Sequence, residues 1–316
     1  MATITLTEET ATSRNAIPER YLTGLDPEWR KMWTEHGKDV LGAHLITIEE
    51  FQRFPLKYSF TYLTWSGPEV HKVHDIQIPV SDLEGFITCR VYMLSGTGPF
   101  PVHLNFHGGG WVLGGLASEA VWCRSMCNEL LIAVVDVDYW LALKYPFPTA
   151  LYDCWAALQL MIVPTTDMQY VPLSIMNAEP LTPETCQYLS AISLADLPWS
   201  LLARESWFLN YYIRTDAATR EKILLDWRMT PVLAPSFRNL APAHIVTAEF
   251  DVERDEVECY AELLQVGGNK VTMKRYLGVP HAFAHYNHPE RGLNKSYEFL
   301  RDSAELLRRV HWGMGQ

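Results

Sequence analysis

The sequence is short of positive charge and of long apolar runs. Its 26 Lys and Arg residues stand against 37 Asp and Glu residues, which gives a formal net charge of −11. A nucleic acid or an anionic membrane needs a basic face to neutralise its phosphates, so we expect neither as a partner. No apolar stretch approaches the ~20 residues of a membrane-spanning helix, and the N-terminus has no basic start followed by an apolar core. These absences predict a cytoplasmic location.

Cysteine pairs of the kind that bind zinc or form disulfide frameworks are also missing. The six cysteines are scattered and form no C-x-x-C pair, so we expect buried thiols. His281, His285 and His288 lie close together in the sequence. No cysteine or carboxylate completes a tetrahedral ligand set with them, so no metal site is predicted.

The patterns that are present indicate an α/β protein. The chain is 48% apolar and 20% charged over 316 residues, which is typical of a globular fold with one large core or two modest ones. Strand patterns occur at 76–80, 87–93, 102–106, 132–137, 158–164, 243–247 and 271–276. Helices are expected from Pro27, over about 118–131, over 255–266 and from about Pro289 to Val310. This alternation predicts a doubly wound, mostly parallel sheet.

One internal segment differs from the rest. Residues 168–239 are rich in Trp and Tyr, follow helical spacing and show no strand pattern, which indicates an inserted helical cap. We therefore divide the chain into three parts. Residues 1–167 hold the N-terminal helix and the first part of the sheet, 168–239 the cap, and 240–316 the last part of the sheet.

A run of glycines ends the third strand pattern. His107 is followed by Gly108, Gly109 and Gly110, and glycines let backbone N–H groups turn toward one point. A bare glycine run is as often a tight turn. Its position after a strand favours an oxyanion hole, in which fixed donors meet the negative charge that develops in acyl transfer.

An acid and a base follow the last two strand patterns. Asp251 and His281 both lie just beyond predicted strand ends, at the edge where open α/β sheets bind ligands. A lone Asp and His are usually structural. Two strand-end loops in this order, together with the glycine run, favour the Asp and His of a catalytic triad. Asp255 and Glu256 are interpreted instead as carboxylates at a helix start.

These motifs together resemble one family. The segments that carry the match are HGGGWVLGG (107–115), VDVDY (135–139), YPFPTALYDCWAAL (145–158), LQLMIVPTTD (158–167), TAEFDVERDE (247–256) and GVPHAF (278–283). The chain resembles the hormone-sensitive-lipase-type carboxylesterases of the α/β-hydrolase fold from about residue 25 to 310. The resemblance implies oxyanion donors at Gly108 and Gly109, Asp251 as triad acid, His281 as base, a helical lid and no cofactor. It also implies an ester of a small or medium acyl group as substrate. The aromatic residues of the cap favour an apolar small molecule, and a homodimer is compatible with these features.

The serine nucleophile of that family is missing. Its G-x-S-x-G turn occurs at no serine of this chain, and Cys154, Ser190 and Ser193 lack the strand–turn–helix context. Between Asp153 and Pro164 a helix pattern runs into a strand pattern with no Gly, Pro, Asn or Ser. A helix-to-strand connection normally takes ~2–6 residues with a capping signal.

We therefore expect one central strand, the nucleophile turn and the next helix to be missing between Leu158 and Gln159. That unit would measure on the order of 50 residues. The gap is either an error in the predicted exon structure or a real deletion, and residues 160–163 are expected to occupy the vacant strand position. Three interpretations remain: an esterase-type hydrolase, an inactive binding protein or biosynthetic helper, and a chain that does not fold stably.

Overall fold

The computed structural model describes residues 15–59, 65–80, 84–155, 186–199 and 202–312. The strands are β1 (Lys72–Pro79), β2 (Phe86–Met93), β3 (Val102–Phe106), β4 (Ala133–Asp138), β5 (Ala243–Phe250) and β6 (Val271–Pro280). The α-helices are α1 (Pro27–Met32), α2 (Ile48–Arg53), α3 (Ala120–Leu130), α4 (Thr149–Trp155), α5 (Leu189–Ser193), α6 (Leu202–Tyr212), α7 (Ala217–Leu224), α8 (Arg254–Val266) and α9 (Asn294–Trp312).

The described strands form two sheets. The first has the order β1-β2-β4-β3, in which β1–β2 and β2–β4 pair antiparallel and β3–β4 pair parallel. The second is the parallel pair β5–β6. The predicted strand over 158–164, the Leu158–Gln159 junction and the expected filling of the vacant position by 160–163 lie outside the described residues.

Local signals in the sequence fix where the first helix begins. The Asp26 carboxylate accepts hydrogen bonds from the backbone N–H groups of Glu28 (2.8 Å) and Trp29 (3.4 Å), and Pro27 occupies the first helical position. Such a cap satisfies donors that have no partner within the helix. The predicted start of α1 is therefore confirmed.

The start predicted for the last helix is wrong by five residues. The backbone N–H groups of Arg291 and Gly292 donate to the His288 carbonyl and close a separate turn after Pro289. Helix α9 begins only at Asn294, whose N–H donates to the Glu28 carboxylate at 2.8 Å. A contact between residues 266 positions apart thus sets this boundary, and no local pattern could predict it.

The described part of the cap is helical and packs on the first sheet. Residues 186–199 and 202–239 contain α5, α6 and α7, with no strand among them. Trp207 and Tyr212 of α6 are buried in one cluster with Ile87 of β2 and Val137 of β4. The cap is thereby anchored on the sheet, although the boundaries 1–167, 168–239 and 240–316 stay predictions.

None of the helices in the described ranges combines the length and the apolar character needed to cross a membrane.

A residue of β4, Asp136, carries a buried carboxyl that contacts Asn105 of β3. Asp136 is fully buried, and its Oδ1 accepts a hydrogen bond from Asn105 Nδ2 at 2.8 Å. Burial raises the pKa of Asp136 to about 7, against the lowering effect of the Asn105 hydrogen bond. The folded protein therefore keeps this proton at pH values where the unfolded chain has lost it.

We predict that Asp136→Asn stabilises the protein increasingly as pH rises. The folded-state pKa is raised, so the wild-type stability falls from the unfolded pKa near 3.8 up to about 7. Urea unfolding should show the advantage of the variant growing by about 2–3 kcal/mol between pH 5 and pH 8. An advantage that is the same at both pH values would contradict the burial of a titrating carboxyl here.

Candidate active site

The glycine loop, residues 107–110, directly follows β3 and is stabilised by a stacked aromatic pair. The His107 ring stacks on Tyr139 with centroids 4.2 Å apart, and the Tyr139 hydroxyl donates to the His107 carbonyl at 2.7 Å. His107 Nδ1 lies 2.8 Å from the Gly108 carbonyl oxygen. His107 therefore positions the loop from within the core, where it is buried.

The loop's own turn requires glycine. Gly109 has φ +128°, and a Cβ there would lie 2.2 Å from the Leu113 carbonyl oxygen. Leu113 in turn donates its N–H to the Gly109 carbonyl at 2.9 Å, which closes the turn. Gly110 has φ +57°, and a Cβ there would lie 2.6 Å from the Phe208 ring of α6. The cap thus lies directly over the loop.

The predicted acid and base lie side by side. Asp251 follows β5 and His281 follows β6, and because these strands are parallel neighbours their carboxyl ends meet. His281 Nδ1 lies 2.9 Å from Asp251 Oδ2. Asp251 is 0% exposed, whereas the His281 side chain is 41% exposed, so the imidazole can be reached from outside. This geometry leaves Nε2 as the atom available for proton transfer.

Two further carboxyls surround the imidazole, and the sequence patterns did not single them out. Glu253 Oε2 lies 3.8 Å from His281 Nδ1, and the Glu253 side chain is 5% exposed. Glu205, on the cap helix α6, hydrogen-bonds Glu253. Burial raises the pKa of Glu253 well above its usual range, and the charges of Glu205 and Asp251 raise it further. Glu253 could have been noticed from its place two residues after Asp251, whereas Glu205 had no local signal.

These carboxyls determine the charge of the base. Burial lowers the pKa of His281, but the charge and hydrogen bond of Asp251 outweigh it, and Glu253 and Glu205 add to the rise. The resulting pKa is about 10. The surrounding carboxyls thus favour the charged form of His281.

A second acid–base pair joins the start of α3 to the turn after His281. Glu119 Oε1 lies 2.9 Å from His285 Nε2. Burial works to raise the pKa of Glu119, but the charge and hydrogen bond of His285 lower it overall.

The acid–base cluster has the donor types of a metal site. Ligand atoms of Asp251, Glu253 and His281 lie within 4.8 Å of one another. Carboxylate oxygens and imidazole nitrogens are ligands for divalent cations such as zinc. The expectation that the chain binds no metal stays a prediction, and His285, which the histidine spacing pointed to, pairs with Glu119 instead.

The residues weighed as substitute nucleophiles have structural surroundings. The Ser190 hydroxyl is buried, donates to the Val252 carbonyl at 2.9 Å and accepts from the Asp255 N–H at 3.0 Å. Burial raises the pKa of the Cys154 thiol to about 12, which disfavours the reactive thiolate. Neither side chain is therefore poised to attack an ester.

We predict that Gly109→Ala destabilises the loop while Gly108→Ala does not. An alanine at 109 meets the Leu113 carbonyl and a positive φ, for which strain of about 1–3 kcal/mol is expected. Nothing lies within 4 Å of a Cβ at 108, which makes it the matched control. Thermal or urea unfolding measures both, and equal losses of stability would contradict the described turn.

Comparison with known families gives a match over most of the chain. The alpha/beta hydrolase fold family matches residues 103–176 and 177–285. These ranges include the glycine loop, the cap, Asp251 and His281.

Curated relatives include bacterial, archaeal and fungal proteins. The carboxylic ester hydrolase LipN of Mycobacterium tuberculosis is 32% identical over 69% of this chain and 66% of its own length. The arylesterase of Saccharolobus solfataricus is 26% identical over 82% of this chain and 92% of its own. This chain thus spans just under two thirds of the first relative and most of the second.

Solved structures share the fold. The ester hydrolase EH1AB1 from the metagenome of Lake Arreo superposes with a TM-score of 0.74 at 24% identity, covering 92% of this chain and 100% of that one. The esterase of Pyrobaculum calidifontis gives a TM-score of 0.72 at 23% identity, covering 91% and 99%. These likenesses confirm the α/β fold predicted from the strand and helix patterns. The family match, together with the fold and the strand-end loops, makes this chain a member of the alpha/beta hydrolase fold family.

Proposed function

We propose that this chain carries the acid–base and oxyanion parts of a carboxylic ester hydrolase, and that it lacks the serine nucleophile. The observation that carries the proposal is the 2.9 Å contact of Asp251 and His281 in loops that follow adjacent parallel strands. The acid holds the imidazole by Nδ1, as a triad requires. Because the chain contains no G-x-S-x-G sequence, no serine is assigned to the Nε2 side of His281.

Each remaining part has a defined role in ester cleavage. A nucleophilic oxygen would attack the ester carbonyl carbon while His281 Nε2 takes its proton, and His281 would then give that proton to the departing alcohol. Asp251 would stabilise the imidazolium, and the N–H groups of Gly108, Gly109 and Gly110 would meet the negative oxygen. The described side chains support these roles, and only the group that supplies the nucleophilic oxygen is unassigned.

The cap suggests the substrate class. Trp207, Phe208 and Tyr211 of α6 contact one another with ring centroids 5.1 Å apart in each of two pairs, and Phe208 covers Gly110. Aromatic walls favour apolar ligands. We therefore assign an ester of an apolar small molecule to the site, with residues 168–239 as its cap.

A second candidate, a binding protein without turnover, has its own support. The carboxyls around His281 raise its pKa to about 10, which favours the protonated ring. This opposes ester cleavage, because a protonated imidazole cannot take the proton of a nucleophile. This candidate requires the 316-residue chain to be the natural product, with no unit lost from it.

We predict that the purified 316-residue chain is not a serine esterase. Turnover of a p-nitrophenyl ester should lie about 10⁴-fold or more below that of an intact relative, with no labelling by a fluorophosphonate. The arylesterase relative is the positive control, and His281→Ala should leave the residual rate unchanged. Labelling of this chain, or a rate abolished by His281→Ala, would contradict the proposal.

We also predict that the transcript distinguishes the two candidates. An in-frame segment encoding G-x-S-x-G between the codons of Leu158 and Gln159 would identify the natural protein as a complete hydrolase. A continuous junction at these codons would support the binding protein. Sequencing of cDNA across the junction measures this, and an insertion without a serine turn would contradict the assigned nucleophile position.

A further inference from the structure

Glu253 touches both members of the acid–base pair. Its backbone N–H donates to Asp251 Oδ1 at 3.0 Å, while its side-chain Oε2 lies 3.8 Å from His281 Nδ1. Asp251 Oδ2 approaches the same nitrogen at 2.9 Å. The single N–H on this edge of the imidazole therefore faces two carboxyl groups, whereas a triad needs only one.

Contacts with the cap and with the imidazole fix the position of the Glu253 side chain. Its side chain is 5% exposed, and burying a carboxyl is costly unless hydrogen bonds or charges compensate. Glu205 reaches down from α6 and hydrogen-bonds it, and two carboxyls in such contact must share a proton. Glu253 is thus held between the cap and the imidazole.

The charged groups facing this cluster come from several elements. Asp251 and Glu253 lie between β5 and α8, and Glu256 acts on Glu253 from the first turn of α8. Three more groups face it from elsewhere: Glu205 and Arg204 from α6, and His285 from the turn after His281. Carboxyls outnumber cations among these groups, so a positive charge on His281 is favoured.

We propose that Glu253 is a second positioning carboxyl group for His281, which lies beside the same Nδ1–H edge as Asp251 and duplicates the acid of the pair. The proposal rests on the proposed role of His281 as the base. It follows from the distances that loss of Asp251 alone does not release the imidazole, since Glu253 can take over the Nδ1–H after a shift of about 1 Å to hydrogen-bond distance.

The test is a pH titration of the His281 ring by ¹H–¹⁵N NMR, which reports its pKa and which nitrogen carries the proton. Glu253→Gln should lower the pKa of His281 by about one unit and leave the proton on Nδ1. Asp251→Asn should lower it more, yet keep the Nδ1–H protected from exchange with water. Only the double variant Asp251→Asn/Glu253→Gln should release the ring to mixed tautomers and a pKa near 6.5.

Glu256→Gln is the matched control, because Glu256 is a buried carboxyl three residues away, whereas the carboxyls that most raise the pKa of His281 are Asp251, Glu253 and Glu205. It should shift the His281 titration by less than about 0.3 unit. A Glu253→Gln titration that matches this control, or a double variant that matches Asp251→Asn alone, would overturn the proposal. The readout needs no turnover, so failure of the ester-hydrolase proposal in activity assays would be seen separately.

Discussion

The contact between Asp251 and His281 is the constraint around which the C-terminal part of the fold is arranged. A carboxylate with 0% exposure needs partners, and Asp251 obtains them from His281 Nδ1 and from the Glu253 backbone N–H. Both loops must therefore keep their register. The parallel β5–β6 pairing places Ala248 opposite Tyr276, which brings the two strand ends to the same edge. The N-terminal segment contributes as well, because the Asp26 N–H donates to the Gly278 carbonyl at 2.8 Å, close to this edge.

Sequence patterns predicted the site residues that come directly after a strand. Asp251, His281 and the glycine loop each come directly after a strand pattern, and strand ends of a parallel sheet meet at one edge. Glu205, Glu253 and Glu119 could not be predicted in the same way. Their roles depend on contacts with residues far away in the chain, such as Glu119 with His285. The late start of α9 has the same cause, since Glu28 accepts from Asn294 across the whole chain.

The carboxylates around the site bear on the missing nucleophile. In an intact ester hydrolase, negative charge develops at the oxyanion donors and is balanced by the imidazolium. Here Asp251, Glu253 and Glu205 already raise the pKa of His281 to about 10, which favours its charged form. The carboxyls thus act on the base before any nucleophile is present.

We propose that the chain holds the acid–base and oxyanion parts of an esterase site and lacks the nucleophile unit. The most direct measurement inserts the strand–turn–helix unit of the arylesterase relative, about 50 residues, between Leu158 and Gln159 and records the pre-steady-state burst of p-nitrophenolate. The account predicts a burst close to one equivalent from the inserted chain, and none when the serine of the inserted unit is replaced by alanine. A folded inserted chain that gives no burst, or a burst that survives the serine replacement, would contradict it.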